Sequence, residues 1–190
     1  MSLGFWETLA TLNADGTALT AAARASLTQG AGATGARFTL PGNRLRIGDC
    51  LKILASGRIS CAVTTPGTAR FDLSFGGTAN FDSLAMNLNI VAKTNVPWFL
   101  EVLGTVRAIG TAANIFWQGK WDSEAVIASP LPTVGGSGGF VVPYNTAPVI
   151  GPNFDSTVSN LIDLQFTQTV ATGSCTLHQY LLALMSSSGF

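Results

Sequence analysis

The chain has 190 residues, and its ten Lys+Arg balance ten Asp+Glu, so its formal charge is zero. Charged residues make up only 11% of it, where a soluble domain usually carries about 25%. They are scattered singly, which excludes the basic stripe of a nucleic-acid-binding protein and the polybasic patch of a membrane-surface protein.

At 19.7 kDa the length fits one domain over residues 1–190. The mean hydropathy is +0.37, more apolar surface than a small domain is expected to hide without packing against copies of itself. The apolar residues come in short runs such as Val96-Pro97-Trp98-Phe99-Leu100 and Tyr180 to Met185, far from the ~18 successive residues of a membrane span. Met1-Ser2-Leu3-Gly4-Phe5-Trp6-Glu7 lacks the basic and apolar regions of a secretory signal, so folding in a cytosol is expected. Cys50, Cys61 and Cys175 are odd in number and widely spaced. They are expected as buried free thiols rather than a disulfide framework or a zinc site.

Phe5 to Leu12 alternates loosely and ends at the turn Asn13-Ala14-Asp15-Gly16. Ala18 to Leu27 is Ala-rich and helical by propensity, and the Gly30–Gly35 segment breaks it. Arg37 to Leu40 is a short strand. Cys50 to Thr64 is a long one, with Gly57 marking a bulge or bend, and Thr65-Pro66-Gly67-Thr68 suits a type II turn. In Ala69–Phe75, Arg70, Asp72 and Ser74 alternate with Phe71, Leu73 and Phe75, the pattern of a half-buried strand. Paired with Ile59–Thr64 it reads as a hairpin, closed by Gly76-Gly77.

Trp98 to Ile109 places Glu101, Thr105 and Arg107 on one parity and Trp98, Leu100, Val102, Val106 and Ala108 on the other. Gly110 to Ala113 turns it into Asn114–Ala125, where Phe116, Gln118, Lys120, Asp122 and Glu124 share a face. Residues 129–153 hold five of the eight prolines and the run Gly135-Gly136-Ser137-Gly138-Gly139, which reads as a long exposed loop. Two strands finish the chain: Leu161–Val170, with Ile162, Leu164 and Phe166 inward, and Ser174–Met185. In the last, both parities are apolar, Leu177, Leu181 and Met185 on one and Tyr180, Leu182 and Leu184 on the other. Burial on both faces is expected when the outer face meets another subunit. The sum is an all-β antiparallel sandwich, a jelly roll of about eight strands, with residues 1–35 as an N-terminal extension.

The chemistry-bearing residues are few. His178, the only histidine, sits in the apolar last strand, so a satisfied or interface histidine is expected rather than a general base. No G-x-S-x-G elbow exists to partner it. Asp122 and Glu124, two apart, could do glycosidase work or hold calcium. Lys120 on the same face gives the simpler account of a solvated ion pair. The Gly135–Gly139 run lacks both the P-loop and the dinucleotide spacing. Trp6, Trp98, Trp117, Trp121 and Tyr180 could form a carbohydrate platform, but most lie at core parity. No catalytic residue, cofactor or metal is expected.

Phe5–Leu27 with its Asp-Gly-Thr-Ala-Leu turn, Thr94-Asn95-Val96-Pro97-Trp98-Phe99-Leu100-Glu101-Val102, Trp117-Gln118-Gly119-Lys120-Trp121 and Leu177-His178-Gln179-Tyr180 resemble small virion proteins of tailed-phage structural clusters. The resemblance runs over most of the chain and implies a β-sandwich accessory protein of the particle. Capsid decoration (cement) proteins of this size are often homotrimers bridging neighbouring capsomers, which implies the capsid exterior as location and the major capsid protein as partner. No functional residue is carried over from it. The interface with the capsid or with further copies is expected at Phe5, Trp6 and Leu9 and at Tyr180, Leu182 and Leu184. The alternative expectation is a tail-tip or head-fibre module that binds a host surface glycan through exposed aromatics and the Gly-rich loop.

Overall fold

Short apolar-polar alternations between turns build strands here and nothing else. A computed structural model describes residues 6–29, 36–61, 67–127 and 138–186, and no helix occurs among them. The strands are β1 (Trp6–Thr11), β2 (Arg24–Ser26), β3 (Phe38–Leu40), β4 (Cys50–Cys61), β5 (Thr68–Phe75), β6 (Thr78–Asp82) and β7 (Met86–Leu88), followed by β8 (Lys93–Ala108), β9 (Asn114–Ser123), β10 (Val126–Ile127), β11 (Gly138–Val142), β12 (Asn160–Gln168) and β13 (Ser174–Met185). Seven have six residues or more, close to the expected count of long strands. The other six are short edge or corner pieces. Among the described residues no helix is long and apolar enough to cross a membrane.

Two antiparallel sheets form the sandwich. One runs in the order β1-β13-β4-β8-β9-β11, the other β10-β7-β5-β12-β2, with β6 beside β5 and β3 beside β12. Their facing sides make the core. Phe71 of β5 lies 4.8 Å from the Trp98 ring, 4.7 Å from Trp121 and 5.2 Å from Phe166. Each such side chain contributes about 1.5–3 kcal/mol by leaving water. Trp98, Trp117, Trp121 and Tyr180 are all buried, so the aromatic residues at core parity pack the sandwich and offer no carbohydrate platform.

The hairpin expected between Ile59–Thr64 and Ala69–Phe75 does not form. β4 pairs with β13 and β8, whereas β5 pairs with β12, β6 and β7 in the opposite sheet. Phe71, Leu73 and Phe75 need an apolar layer above them, and crossing to the other sheet provides it. The turn at Thr65-Pro66 lies outside the described residues. The 98–125 hairpin forms as expected, Trp98 opposite Ser123 through Ala108 opposite Asn114. Gly76-Gly77, expected to close the pair of Ile59–Thr64 with Ala69–Phe75, instead turns β5 into β6, both residues at positive φ (56° and 93°), the requirement of a type I′ turn. At Gly57 the extra residue belongs to the partner strand, because β13 shifts register between Leu177 and Gln179. Gly57 permits the close approach, since a Cβ there would run into the Thr176 carbonyl.

The N-terminal extension is built into the fold. β1 pairs with β13 at one sheet's edge, Leu19 bridges Cys175, and β2 pairs with β12 in the other sheet. Residues 6–28 therefore strap one side of the sandwich. Ala18–Leu27 is no helix: Leu27 and Thr28 are buried, and pairing with β12 outweighs alanine's weak propensity. In the 129–153 region, Gly138 and Gly139 open β11 instead of a loop, Tyr144 stacks edge-on against Phe140 at 5.2 Å, and Ile150 bridges Phe116.

The cysteines are free, Cys61 and Cys175 buried and Cys50 half-buried. Burial raises the Cys61 and Cys175 thiols above their ordinary range. An aromatic disulfide reagent is expected to titrate Cys50 alone in the native protein and all three thiols in guanidinium. The raised thiols also make stability fall as pH climbs past the ordinary thiol range, because the unfolded chain then sheds protons that the native state keeps.

Candidate functional site

The residues considered for catalysis are dispersed and neutralised. His178, the extra residue of the β13 bulge, places Nδ1 2.7 Å from Asp15 Oδ1, the satisfied histidine that was expected. Asp122 Oδ2 accepts from Lys120 Nζ at 2.9 Å and Glu124 Oε2 from Lys93 Nζ at 3.1 Å. Ser123 between them points into the sandwich, its Oγ donating to the Pro97 carbonyl at 2.9 Å. No group of three or more His, Cys, Asp and Glu able to hold a metal occurs among the described residues.

The expected interface residues separate. Phe5 lies outside the described residues. Trp6 is 41% exposed, and Leu9 packs partly buried against the core. Tyr180, Leu182 and Leu184 face inward and are buried within this chain, which leaves nothing of them for a second subunit. Their even parity is the core parity of β13, and Leu181 and Met185 on the odd parity stay half-buried.

What sequence reasoning missed is the outer face of the six-stranded sheet. Register aligns Leu181, Leu54, Glu101, Lys120 and Val141 in one row and Ala183, Lys52, Leu103 and Gln118 in the next. Beyond them come Trp6, Met185, Cys50, Thr105 and Phe116. Phe99 (41%), Leu103 (46%) and Val141 (60%) are exposed there. The signal was available: Phe99 and Leu103 share the parity of Glu101 and Thr105, apolar residues on an otherwise polar side.

At one end of this face an open groove of about 550 Å³ is lined by Pro97, Trp98, Phe99, Asp122, Glu124 and the backbone of Gly138-Gly139. Ser56 closes its side and donates from Oγ to Gln179 Oε1 at 3.2 Å.

The outer face of the other sheet is polar and covered. Asp72 and Asp82 stand directly opposite on β5 and β6, a repulsive pairing relieved by one arginine each. Arg24 Nε donates to both Asp72 oxygens at 3.2 and 3.0 Å, and Arg70 NH1 donates to Asp82 at 2.9 Å. The hydrogen bond to Asp72, opposed by desolvation, holds the Arg24 guanidinium above its ordinary range. Asp163 sits where β12 passes from pairing with β3 to pairing with β2. It accepts from Ser26 Oγ at 2.6 Å and from Thr28 Oγ1, with Arg37 NH2 at 3.7 Å.

No family model matches this chain, and no curated protein matches it. A solved structure that is similar is the CBM2 module of Lactobacillus casei BL23 phage J-1 evolved Dit, with 9% identity over 81% of this chain and 70% of that one, at a TM-score of 0.34. A likeness at that level carries no argument about what this chain does.

Proposed function

We propose that the chain is a structural protein of a tailed-bacteriophage particle, which decorates and stabilises the capsid exterior as a symmetric oligomer, a homotrimer bridging copies of the major capsid protein. The observation that carries this reading is the outer face of the six-stranded sheet. Leu103 and Val141 stand exposed there, Trp6 beside them, over half-buried Leu54, Leu181 and Met185. Four of the charges on that face cancel in pairs, Lys52 with Glu101 at 2.7 Å and Lys120 with Asp122, and Arg107 lies over the Phe116 ring, 4.4 Å from its centroid. Low overall charge and the resemblance of the sequence to tailed-phage virion proteins support the same reading. The work is mechanical and needs no catalytic residue or cofactor: apolar area buried at each joint, at roughly 25 cal/mol per Å², raises the cost of local opening.

Light scattering during gel filtration is expected to give three times the 19.7 kDa chain mass, and Leu103→Glu is expected to return a folded monomer with an unchanged circular-dichroism spectrum and a lower melting temperature. A monomeric wild-type chain would remove the self-assembling oligomer. Antibody labelling of the particle tests the location: label on the head supports decoration, and label confined to the tail overturns it in favour of a tail module.

A further inference from the structure

We propose that the groove beside Phe99 is a binding site for a neutral saccharide, with a pyranose ring lying on Phe99 and Pro97 and its hydroxyls donating to Asp122 and Glu124. The groove, about 550 Å³, falls in the ~300–1,000 Å³ range of small-ligand sites, which combine apolar and aromatic walls with a few placed polar groups. Its floor is apolar: the exposed Phe99 ring and Pro97. Trp98 between them turns its ring into the core, where Nε1 donates to the Thr176 carbonyl at 3.3 Å, and so anchors the strand that carries both.

Its rim accepts hydrogen bonds. The Asp122 and Glu124 side chains are 39% and 56% exposed, and each spends one oxygen on a lysine, which leaves the other for a donor. Gly139, opposite Asp122 in β11, keeps that carboxylate reachable, because a Cβ there would collide with it. Charge selects among ligands. With Lys120 and Lys93 already paired, the rim carries no net charge, so a charged ligand gains no net attraction there to offset its own desolvation. A neutral polyol carries no such cost, and its hydroxyls make charge-assisted bonds to the free oxygens.

The site stands apart from the assembly reading. Leu103 lies four residues further along β8, roughly 13 Å away at strand rise, so the two surfaces can be altered independently.

Titration of the full chain, followed by amide chemical shifts, tests the proposal with cellohexaose, maltohexaose and N-acetylchitohexaose, and with spermine and hexagalacturonate as charged comparators. At least one neutral oligosaccharide is expected to shift Ser56, Phe99, Gly138 and Gly139 saturably. Phe99→Ala is expected to weaken that binding about tenfold, the equivalent of about 1.4 kcal/mol, Asp122→Ala to weaken it as well, and Leu103→Glu to leave it intact. Asp122→Ala changes an exposed rim residue, so the test holds even where Phe99→Ala disturbs β8. No shift with any of the three at millimolar concentration, undiminished binding by both groove variants, or binding of a charged comparator alone would overturn the proposal.

Discussion

Replacing Arg24 by Met is expected to lower the unfolding free energy by about 3 kcal/mol, more than the reciprocal change Asp72→Asn, at about 1.5 kcal/mol. The asymmetry follows from burial. Asp72 is 1% exposed, whereas the Arg24 side chain is 35% exposed. Without Arg24, a carboxylate is left in the sheet surface facing Asp82 across the strand pair. Without the carboxylate, the guanidinium turns to water. Partial exposure of Arg24 sets the expectation at the low end of the range for breaking a buried pair. Arg24 also anchors β2, which holds β12 through three residue pairs, so amides of residues 24–28 are expected to exchange faster in Arg24→Met. Urea unfolding of both single variants and the double variant measures the coupling. Equal losses in the two singles would show that Asp72 is not the stranded member.

The two outer faces of the sandwich are opposites. One carries six of the chain's twenty charged residues, Arg24, Arg37, Arg70, Asp72, Asp82 and Asp163, and is partly roofed by the chain's own N-terminal strap. The other carries the ion pairs Lys52–Glu101 and Lys120–Asp122 with Arg58 and Arg107, set among exposed apolar side chains. That apolar area is where an oligomer or a ligand gains most by covering it.

The sequence made the sandwich legible because period-2 alternation reports on one strand at a time. Arg70, Asp72 and Ser74 against Phe71, Leu73 and Phe75 identify β5 and its buried side without any knowledge of its neighbours. Which strand lies beside it depends on contacts across the whole chain, and adjacency in sequence misleads there, as between Ile59 and Ala69. Both parities of β13 are apolar in the sequence, and the expected interface fell on Tyr180, Leu182 and Leu184, the parity that the core takes. Phe99 and Leu103 were legible as apolar residues out of phase. The groove was not: Ser56, Phe99, Asp122 and Gly139 come from four strands, and only the register β4-β8-β9-β11 puts them in one row. The buried carboxylates of the other sheet were hidden for the same reason, since a half-buried strand's polar face reads as solvated until another segment is seen to cover it.

Gly104→Val is expected to cost about 3–5 kcal/mol, as much as removing a large core side chain. Gly104 pairs with Trp117 across β8 and β9, and the indole lies against the bare backbone: a Cβ at residue 104 would enter its six-membered ring. The ring has nowhere to retreat. It packs near Phe75 and Phe81, at 6.2 and 6.1 Å, and its Nε1 donates to Asn80 Oδ1 at 2.7 Å in a buried setting. Displacing it adds a steric cost of about 1–3 kcal/mol to the loss of that hydrogen bond, a further 1–3 kcal/mol or so once Asn80 Oδ1 is left without its donor. Trp117→Phe removes the bond and part of the buried ring system and is expected to cost about 3 kcal/mol. Combining Gly104→Ala with Trp117→Leu is expected to be milder than the sum of the two, because the smaller side chain vacates the space that the new methyl needs. Chemical unfolding of the set decides the matter, and a Gly104→Ala variant within 1 kcal/mol of wild type would mean that the indole is not wedged against the strand. The same two strands carry Leu103 and Gln118 outward, so the glycine and indole that lock β8 to β9 on the inner side also fix the spacing of the face proposed to meet other subunits.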